Sequence, residues 1–416
     1  MREASQLSEV METSVQAIDG AQAVYEADAA CVMHTYARQP LQIARGAGTH
    51  VYDESDNAYL DFTSGIAVCA LGHCHPRLVS VAQEQLNTLW HTSNLYLTAP
   101  QARLAERLTI ASGMDRVFFS NSGAEANEAA IKLARRYSKA RYGAHKGEVL
   151  TFSNSFHGRT IATVTATAQP KYQEGFGPLP GGFRYIEAMT PDAVKAAVTP
   201  KTCAVMIEPI QGEGGVYPVP SDFLTWLRTF CDEVGLVLIF DEVQTGVGRT
   251  GQWLAWQKIG VKPDIVTMAK ALGGGLPIGA TMAVQDVAAS FIPGTHGSTF
   301  GGNPVAARVA CEVIDIVLEP GFLEGVSTRG QQLGSGLCVL AAQTSAVVDV
   351  RGIGLMWGVE LSGPVAGRVV DKCRERGLLV LTAGASTVRL LPPLIVTASE
   401  IESALSILAI AIDEAV

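Results

Sequence analysis

The chain has 416 residues, 48% of them hydrophobic, and a formal net charge of −9. That length can bury a full core and predicts one large domain plus a smaller one. The negative balance and the absence of any lysine or arginine run exclude nucleic acid or an anionic membrane as the main partner, which leaves small-molecule work.

Near the N-terminus, short strands are expected around Ile43 and over 51–62, broken by Gly46, Gly48 and Asp56-Asn57. His73-Cys74-His75 offers metal-type ligands, but with no matching cluster elsewhere it reads as a turn next to Pro76, and no metal site is expected. The middle of the chain alternates strands and helices, the pattern of a parallel sheet covered on both faces. Strands are predicted over 117–120, 149–152, 204–208, 236–240 and 265–268, and helices over 124–142 and 220–234. The last part holds strands over 347–350, 356–361, 378–381 and 387–390 with helices between and after. Both termini are expected to fold together as a small α+β domain against the large α/β one. The expected division is 1–65 and 326–416 for the small domain and 66–325 for the large one.

In open α/β sheets ligands bind beyond the carboxyl ends of the strands. Ser120-Asn121-Ser122-Gly123-Ala124-Glu125 opens a helix there, either as a plain N-cap or as a phosphate cradle of free N–H groups. Phe156-His157-Gly158-Arg159 places a ring that could stack on a cofactor beside a guanidinium that could grip a carboxylate; a surface arginine is the alternative. Glu213, in the loop Glu208-Pro209-Ile210-Gln211-Gly212-Glu213-Gly214-Gly215, could pair with Arg389, a charge within an apolar strand, or each could be solvated. Asp241-Glu242-Val243-Gln244 and Lys270 end the strands 236–240 and 265–268. A lysine that attacks a carbonyl and a carboxylate beside a pyridine nitrogen are the two parts that pyridoxal phosphate chemistry needs. Glycines after each, Gly246 and Gly248, then Gly273-Gly274-Gly275, allow close approach to a flat ligand.

The eight cysteines, Cys31, Cys69, Cys74, Cys203, Cys231, Cys311, Cys338 and Cys373, stand singly, which predicts reduced thiols in a cytoplasmic protein. No apolar stretch reaches membrane-spanning length, and Glu3, Glu9, Glu12, Asp19, Glu26 and Asp28 interrupt the start of the chain. Neither secretion nor a membrane anchor is therefore expected.

From about Thr35 to the C-terminus these segments resemble, in order, the class III, ornithine-type aminotransferases, fold type I enzymes that use pyridoxal 5'-phosphate. His34-Thr35-Tyr36-Ala37-Arg38, Ser64-Gly65-Ile66-Ala67-Val68, Gly72-His73-Cys74-His75-Pro76 and Ala269-Lys270-Ala271-Leu272-Gly273-Gly274-Gly275 carry the likeness. The resemblance implies that Lys270 bonds the cofactor and shuttles the proton, and that Asp241 partners the pyridine nitrogen. It implies Gln244 on the phenolic oxygen, Phe156 and Val243 on the two ring faces, and Ser122, Gly123 and Ala124 on the phosphate. Thr299 would reach that phosphate from a second subunit, which implies a homodimer with shared active sites.

For substrates, the resemblance implies that Arg159, assisted by Ser298, binds the donor's carboxylate and then the distal carboxylate of 2-oxoglutarate. Arg389 would bind the α-carboxylate of glutamate or 2-oxoglutarate, with Glu213 neutralising it when the donor is bound, and Tyr36 would line the far end of the pocket. At position 66 ornithine-specific members carry a tyrosine that holds the free α-amino group; Ile66 offers no hydrogen bond. This favours N2-acetyl-L-ornithine, N-succinylornithine or 4-aminobutyrate over free ornithine, and among these the resemblance makes N2-acetyl-L-ornithine the expected donor. An aminomutase, which shares the lysine and aspartate, is the alternative class; Glu213 and Arg389 favour a transferase. The stretch before Thr35, longer than the family pattern, is expected to cover the dimer surface or the pocket mouth.

Overall fold

The structure, a computed structural model, describes residues 20–416, so Glu3, Glu9, Glu12 and Asp19 lie outside the described residues. Its centre is a seven-stranded sheet in the order β4-β12-β11-β10-β7-β5-β6. The members are β4 (Arg116–Ser120), β5 (Glu148–Phe152), β6 (Phe183–Ile186), β7 (Thr202–Ile207), β10 (Val237–Asp241), β11 (Ile265–Met268) and β12 (Gly279–Ala283). β7, β10 and β11 are buried at every residue, as strands covered on both faces must be, and they read as continuous apolar runs. β11, β10, β7, β5 and β6 run parallel, while β12 lies antiparallel to both β11 and β4. β4 therefore points the same way as β10 and β11, and Ser120, Asp241 and the approach to Lys270 meet at one edge.

Two strands of this sheet depart from the sequence reading, which did not include β6 or the antiparallel β12. β12 reads Gly-Ala-Thr-Met-Ala. Glycine and alanine are poor strand formers, and burial between β11 and β4 makes the segment extended. β6 is a four-residue edge strand with an arginine in it.

The helix Gly123–Tyr142 lies across the sheet from β4 to β7. Its start is fixed by a reciprocal cap: Glu125 N–H donates to Ser122 Oγ at 3.1 Å, and Asn121 N–H donates to Glu125 Oε2 at 2.5 Å. Alanines on its inner face let it sit close to the strands. The helix Ser221–Val234 buries Phe223, Leu224, Leu227 and Cys231 and ends at Gly235 in the left-handed conformation, φ 68°.

The ends of the chain meet as expected. β1 (Ile43–Ala47), β2 (His50–Asp53) and β3 (Ala58–Asp61) form an antiparallel meander, to which β15 (Leu378–Leu379) adds in parallel, Leu378 opposite Leu60. β13 (Val347–Ile353), β14 (Met356–Leu361), β16 (Leu381–Thr382) and β17 (Thr387–Leu390) make a second four-stranded sheet. β17 is buried throughout and carries Arg389. Ahead of the meander lies a helix, Ala21–Cys31, with no buried residue; Asp28 on it pairs with Arg38 at 2.8 Å. Among the described residues no helix is long and apolar enough to cross a membrane.

Candidate active site

A cavity of about 450 Å³ opens at the sheet edge where β4, β10 and β11 end. Ser122, Gly123, Ala124, Phe156, Arg159, Glu213, Asp241, Val243, Gln244 and Lys270 all line it, so ten residues picked from scattered segments come together. Gly123 is required by contact: a Cβ there would stand 2.6 Å from Val243 Cγ1. The Gly123 and Ala124 amides, in the first turn of a twenty-residue helix, donate to no protein acceptor among the described residues. With the Ser122 hydroxyl beside them they make an anion cradle.

Asp241, 4% exposed, closes the opposite end. Its Oδ2 accepts from Asn127 Nδ2 at 2.7 Å and from His157 Nδ1 at 2.8 Å, and its Oδ1 from the Val243 amide at 3.0 Å. A carboxylate can only accept, so the His157 proton is on Nδ1, and Nε2 is left buried without a partner. Asn127 is itself fixed by Thr267 Oγ1, which donates to its Oδ1 at 2.7 Å.

Lys270 follows β11 with φ 44°, a left-handed backbone that an L side chain seldom adopts and that marks strained functional positions. Burial pushes its ammonium down to about 8, with Glu213 opposing that, Arg389 adding to it, and Asp241 and Glu208 opposing it. Arg389 Nη1 donates to Glu213 Oε1 at 2.6 Å and reaches Gln244 Oε1 at 3.4 Å. Burial would raise the Glu213 carboxyl, but the Arg389 charge and hydrogen bond outweigh it and hold it below the usual range. Arg159 has no carboxylate partner among the described residues; its guanidinium lies 4.0 Å from the Tyr172 ring centre and 5.5 Å from that of Phe156.

Five expected residues fall outside the cavity lining, and of these Arg389 reaches it through its bond to Glu213. Tyr36 is 74% exposed and lines a separate cavity beside the helix Ala21–Cys31, with Tyr25, Arg38 and Thr63. Ile66 is 42% exposed with φ 64°, and it is Val68, two residues on, that lines the site. Ser298 and Thr299 lie beyond the cavity; Asn121 Nδ2 donates to Ser298 Oγ at 3.2 Å, and Thr299 lines a crevice with His91, Asn94 and Phe300. The residues that sequence reasoning gave no role are Asn127, His157 and Glu208. Glu208 carried a readable signal, a carboxylate directly after six strand residues that are all buried. His73, singled out as a turn, donates Nε2–H to Asp61 Oδ2 at 2.8 Å, and that bond raises its ring to about 10. No group of three or more potential metal ligands occurs among the described residues.

The aminotransferase class-III family model matches residues 32–412. The chain belongs to the class-III aminotransferases. It is 48% identical to the acetylornithine aminotransferase of Caldanaerobacter subterraneus over 91% of this chain and 96% of that protein. To the acetylornithine aminotransferase of Myxococcus xanthus it is 50% identical, over 89% of this chain and 93% of that protein. Among solved structures it is similar to the N-acetylornithine aminotransferase of Stenotrophomonas maltophilia, with TM-score 0.81 and 40% identity over 92% of this chain and 97% of that one. The ornithine aminotransferase of Toxoplasma gondii matches with TM-score 0.93 and 31% identity over 97% of both chains.

This class-III aminotransferase is thus a fold type I enzyme that takes small-molecule amines and keto acids and uses pyridoxal 5'-phosphate. The site fits that group on its own chemistry: an anion cradle, a carboxylate held by three donors, a lysine of lowered basicity, and an aromatic face between them.

Proposed function

We propose that the enzyme moves the terminal amine of N2-acetyl-L-ornithine to 2-oxoglutarate, giving N-acetyl-L-glutamate 5-semialdehyde and L-glutamate. The observation that carries this reading is the Glu213–Arg389 pair, 2.6 Å long, beside Lys270 and opposite an Arg159 that has no acidic partner among the described residues. One arginine is permanently available for a carboxylate, and the second is neutralised until a substrate brings its own. Relatives of 48–50% identity that are acetylornithine aminotransferases support the choice of donor.

Ser122, Gly123 and Ala124 would hold the cofactor phosphate, Asp241 the ring nitrogen, and Gln244 the phenolic oxygen, with Phe156 and Val243 on the ring faces. When bound, the cofactor supplies an aldehyde that condenses with amines and a conjugated ring that stores an electron pair. Lys270 Nζ, which burial makes partly neutral near pH 8, would take the proton from the donor's terminal carbon and deliver it to the cofactor rather than back to that carbon. Asn127 and His157 hold Asp241 in place, so that its charge faces the ring nitrogen without reorganising. The donor leaves as the aldehyde and its nitrogen passes to 2-oxoglutarate. For that second half, Glu213 releases Arg389 to the α-carboxylate while Arg159 takes the distal one. An unpaired buried arginine would be costly with the donor in place, which is the reason for the exchange.

We further propose a homodimer in which Thr299 of a second copy completes the phosphate site. Its exposure, and that of Leu95, Tyr96, Leu97 and Phe300 nearby, supports this reading. The division of the chain near residues 65 and 325 and a cytoplasmic location belong to the same proposal. The test is a kcat/KM panel of N-acetylornithine, N-succinylornithine, N-succinyl-diaminopimelate, ornithine and 4-aminobutyrate, each with 2-oxoglutarate. The reading expects N-acetylornithine to lead, and turnover that needs no keto acid would point to the aminomutase instead.

A further inference from the structure

Glu208 is an acid that the transfer chemistry leaves without a task. It lies one residue past β7, is 7% exposed, lines the cavity, and forms no ion pair with a lysine or arginine among the described residues. Burial pushes its carboxyl up to about 7, with His157 lowering it and Asp241 raising it. An unpaired buried carboxylate is expensive to retain. Its two oxygens are used on the backbone of two different loops: Oε1 accepts from the Phe156 amide at 2.8 Å and Oε2 from the Gly212 amide at 3.3 Å. The first loop carries the ring-facing Phe156 and Arg159. In the second, Gly212 directly precedes Glu213.

The Glu213 loop is the tip of a small hairpin in which β8 (Ile210–Gln211) pairs with β9 (Tyr217–Pro218). On one side Gln211 Nε2 donates to the Ser153 carbonyl at 2.9 Å, and on the other Arg351 Nε donates to the Gly215 carbonyl at 2.8 Å. Between those anchors, among the described residues, the bond to Glu208 is the hydrogen bond that fixes the backbone next to Glu213. A Cβ on Gly212 would run into Gln244 Oε1, so the glycine lets the loop backbone lie against that side chain. The loop is therefore held against Gln244 at the residue where Glu213 must swing.

We propose that Glu208 is a positioning residue for the Glu213–Arg389 gate. By clamping the Gly212 and Phe156 amides with one carboxylate it biases Glu213 toward Arg389 and so sets how the enzyme divides its affinity between amine donor and keto acid. This rests on the exchange at Arg389 proposed above. A residue that merely satisfied buried amides would change both half-reactions alike.

The test is Glu208→Gln in the cofactor-loaded enzyme. An amide has one acceptor and one donor group, so it turns an NH2 toward one of the two N–H donors, and the longer Gly212 bond is the one lost. Hydrogen exchange of a peptide over 209–216, measured without substrates, is expected to accelerate about tenfold, the loss of one charge-assisted bond, while Val237–Asp241 stays protected. The ratio of kcat/KM for 2-oxoglutarate to that for the donor is expected to rise about tenfold. Glu208→Asp, which keeps the charge but cannot span both amides, should show the same asymmetry and carries the test if the glutamine variant does not fold. Unchanged exchange, or an equal fall in both half-reactions, overturns the proposal. Wild-type turnover of N-acetylornithine is run in parallel; its absence refutes the donor assignment, whereas the exchange result still decides the clamp.

Discussion

Glu213→Ala separates the two tasks of Arg389. Arg389 is 2% exposed, its Nε has no partner, and beyond the 2.6 Å bond to Glu213 its guanidinium reaches Gln244 Oε1 at 3.4 Å. The Glu213 side chain is 23% exposed and that of Arg389 3%, so the pair behaves as a buried one, where removing a partner costs about 3–5 kcal/mol. Gln244 can recover part of the loss, leaving about 3 kcal/mol, or about 100-fold. The free enzyme and the donor complex carry that cost alike, whereas 2-oxoglutarate brings its own carboxylate and relieves it. Single-turnover kinetics should therefore show kcat/KM for 2-oxoglutarate raised about 100-fold relative to that for the donor, which changes by less than about threefold. An equal change in both halves, or no change in either, would refute the gate.

Lys270→Ala should abolish turnover and the absorbance of the lysine-bound cofactor while circular dichroism reports a folded chain; full activity would remove the lysine from the mechanism. In the cofactor-free enzyme the Lys270 ammonium is lowered from 10.5 to about 8, so between those pH values the folded chain has released a proton that the unfolded chain keeps. Stability from this group therefore rises with pH across that window, by at most about 3 kcal/mol, and Lys270→Met should flatten the denaturant-midpoint profile there. The rate of cofactor capture should level off near pH 8, and a plateau only above pH 10 would contradict the burial effect. Ile66 holds φ 64°, costly for a β-branched side chain, so Ile66→Gly should raise the thermal midpoint by the equivalent of about 1 kcal/mol. Ile66→Tyr should raise kcat/KM for free ornithine severalfold, and an unchanged value would remove position 66 from donor selection.

The chemical ends of the site were legible because burial writes them plainly. A strand covered on both faces must be apolar, so the carboxylate of Asp241 and the lysine after β11 stood out as soon as the runs stopped. The Ser122 cap and the Glu213–Arg389 pair followed from the same contrast between polar residues and apolar surroundings. What could not be read was pairing across the sheet. β12 is made of small residues whose extended shape comes from β4 and β11, and the Asn127–Asp241–His157 cluster joins three segments that only the strand order brings together. Roles inferred by resemblance for Tyr36, Ile66 and Ser298 carry no statement about which copy of the chain they serve, whereas Thr299 is expected to serve a second copy. In a single chain they stand outside the cavity.

The central claim, that this pocket passes an amine from an acylated diamine to a keto acid through Lys270, is tested most directly by stopped-flow absorbance of the cofactor-loaded enzyme. Adding N2-acetyl-L-ornithine without keto acid should bleach the band of the lysine-bound cofactor, and 2-oxoglutarate should restore it with one glutamate formed per cycle. A band that persists with the donor, or that recovers without 2-oxoglutarate, would contradict the account.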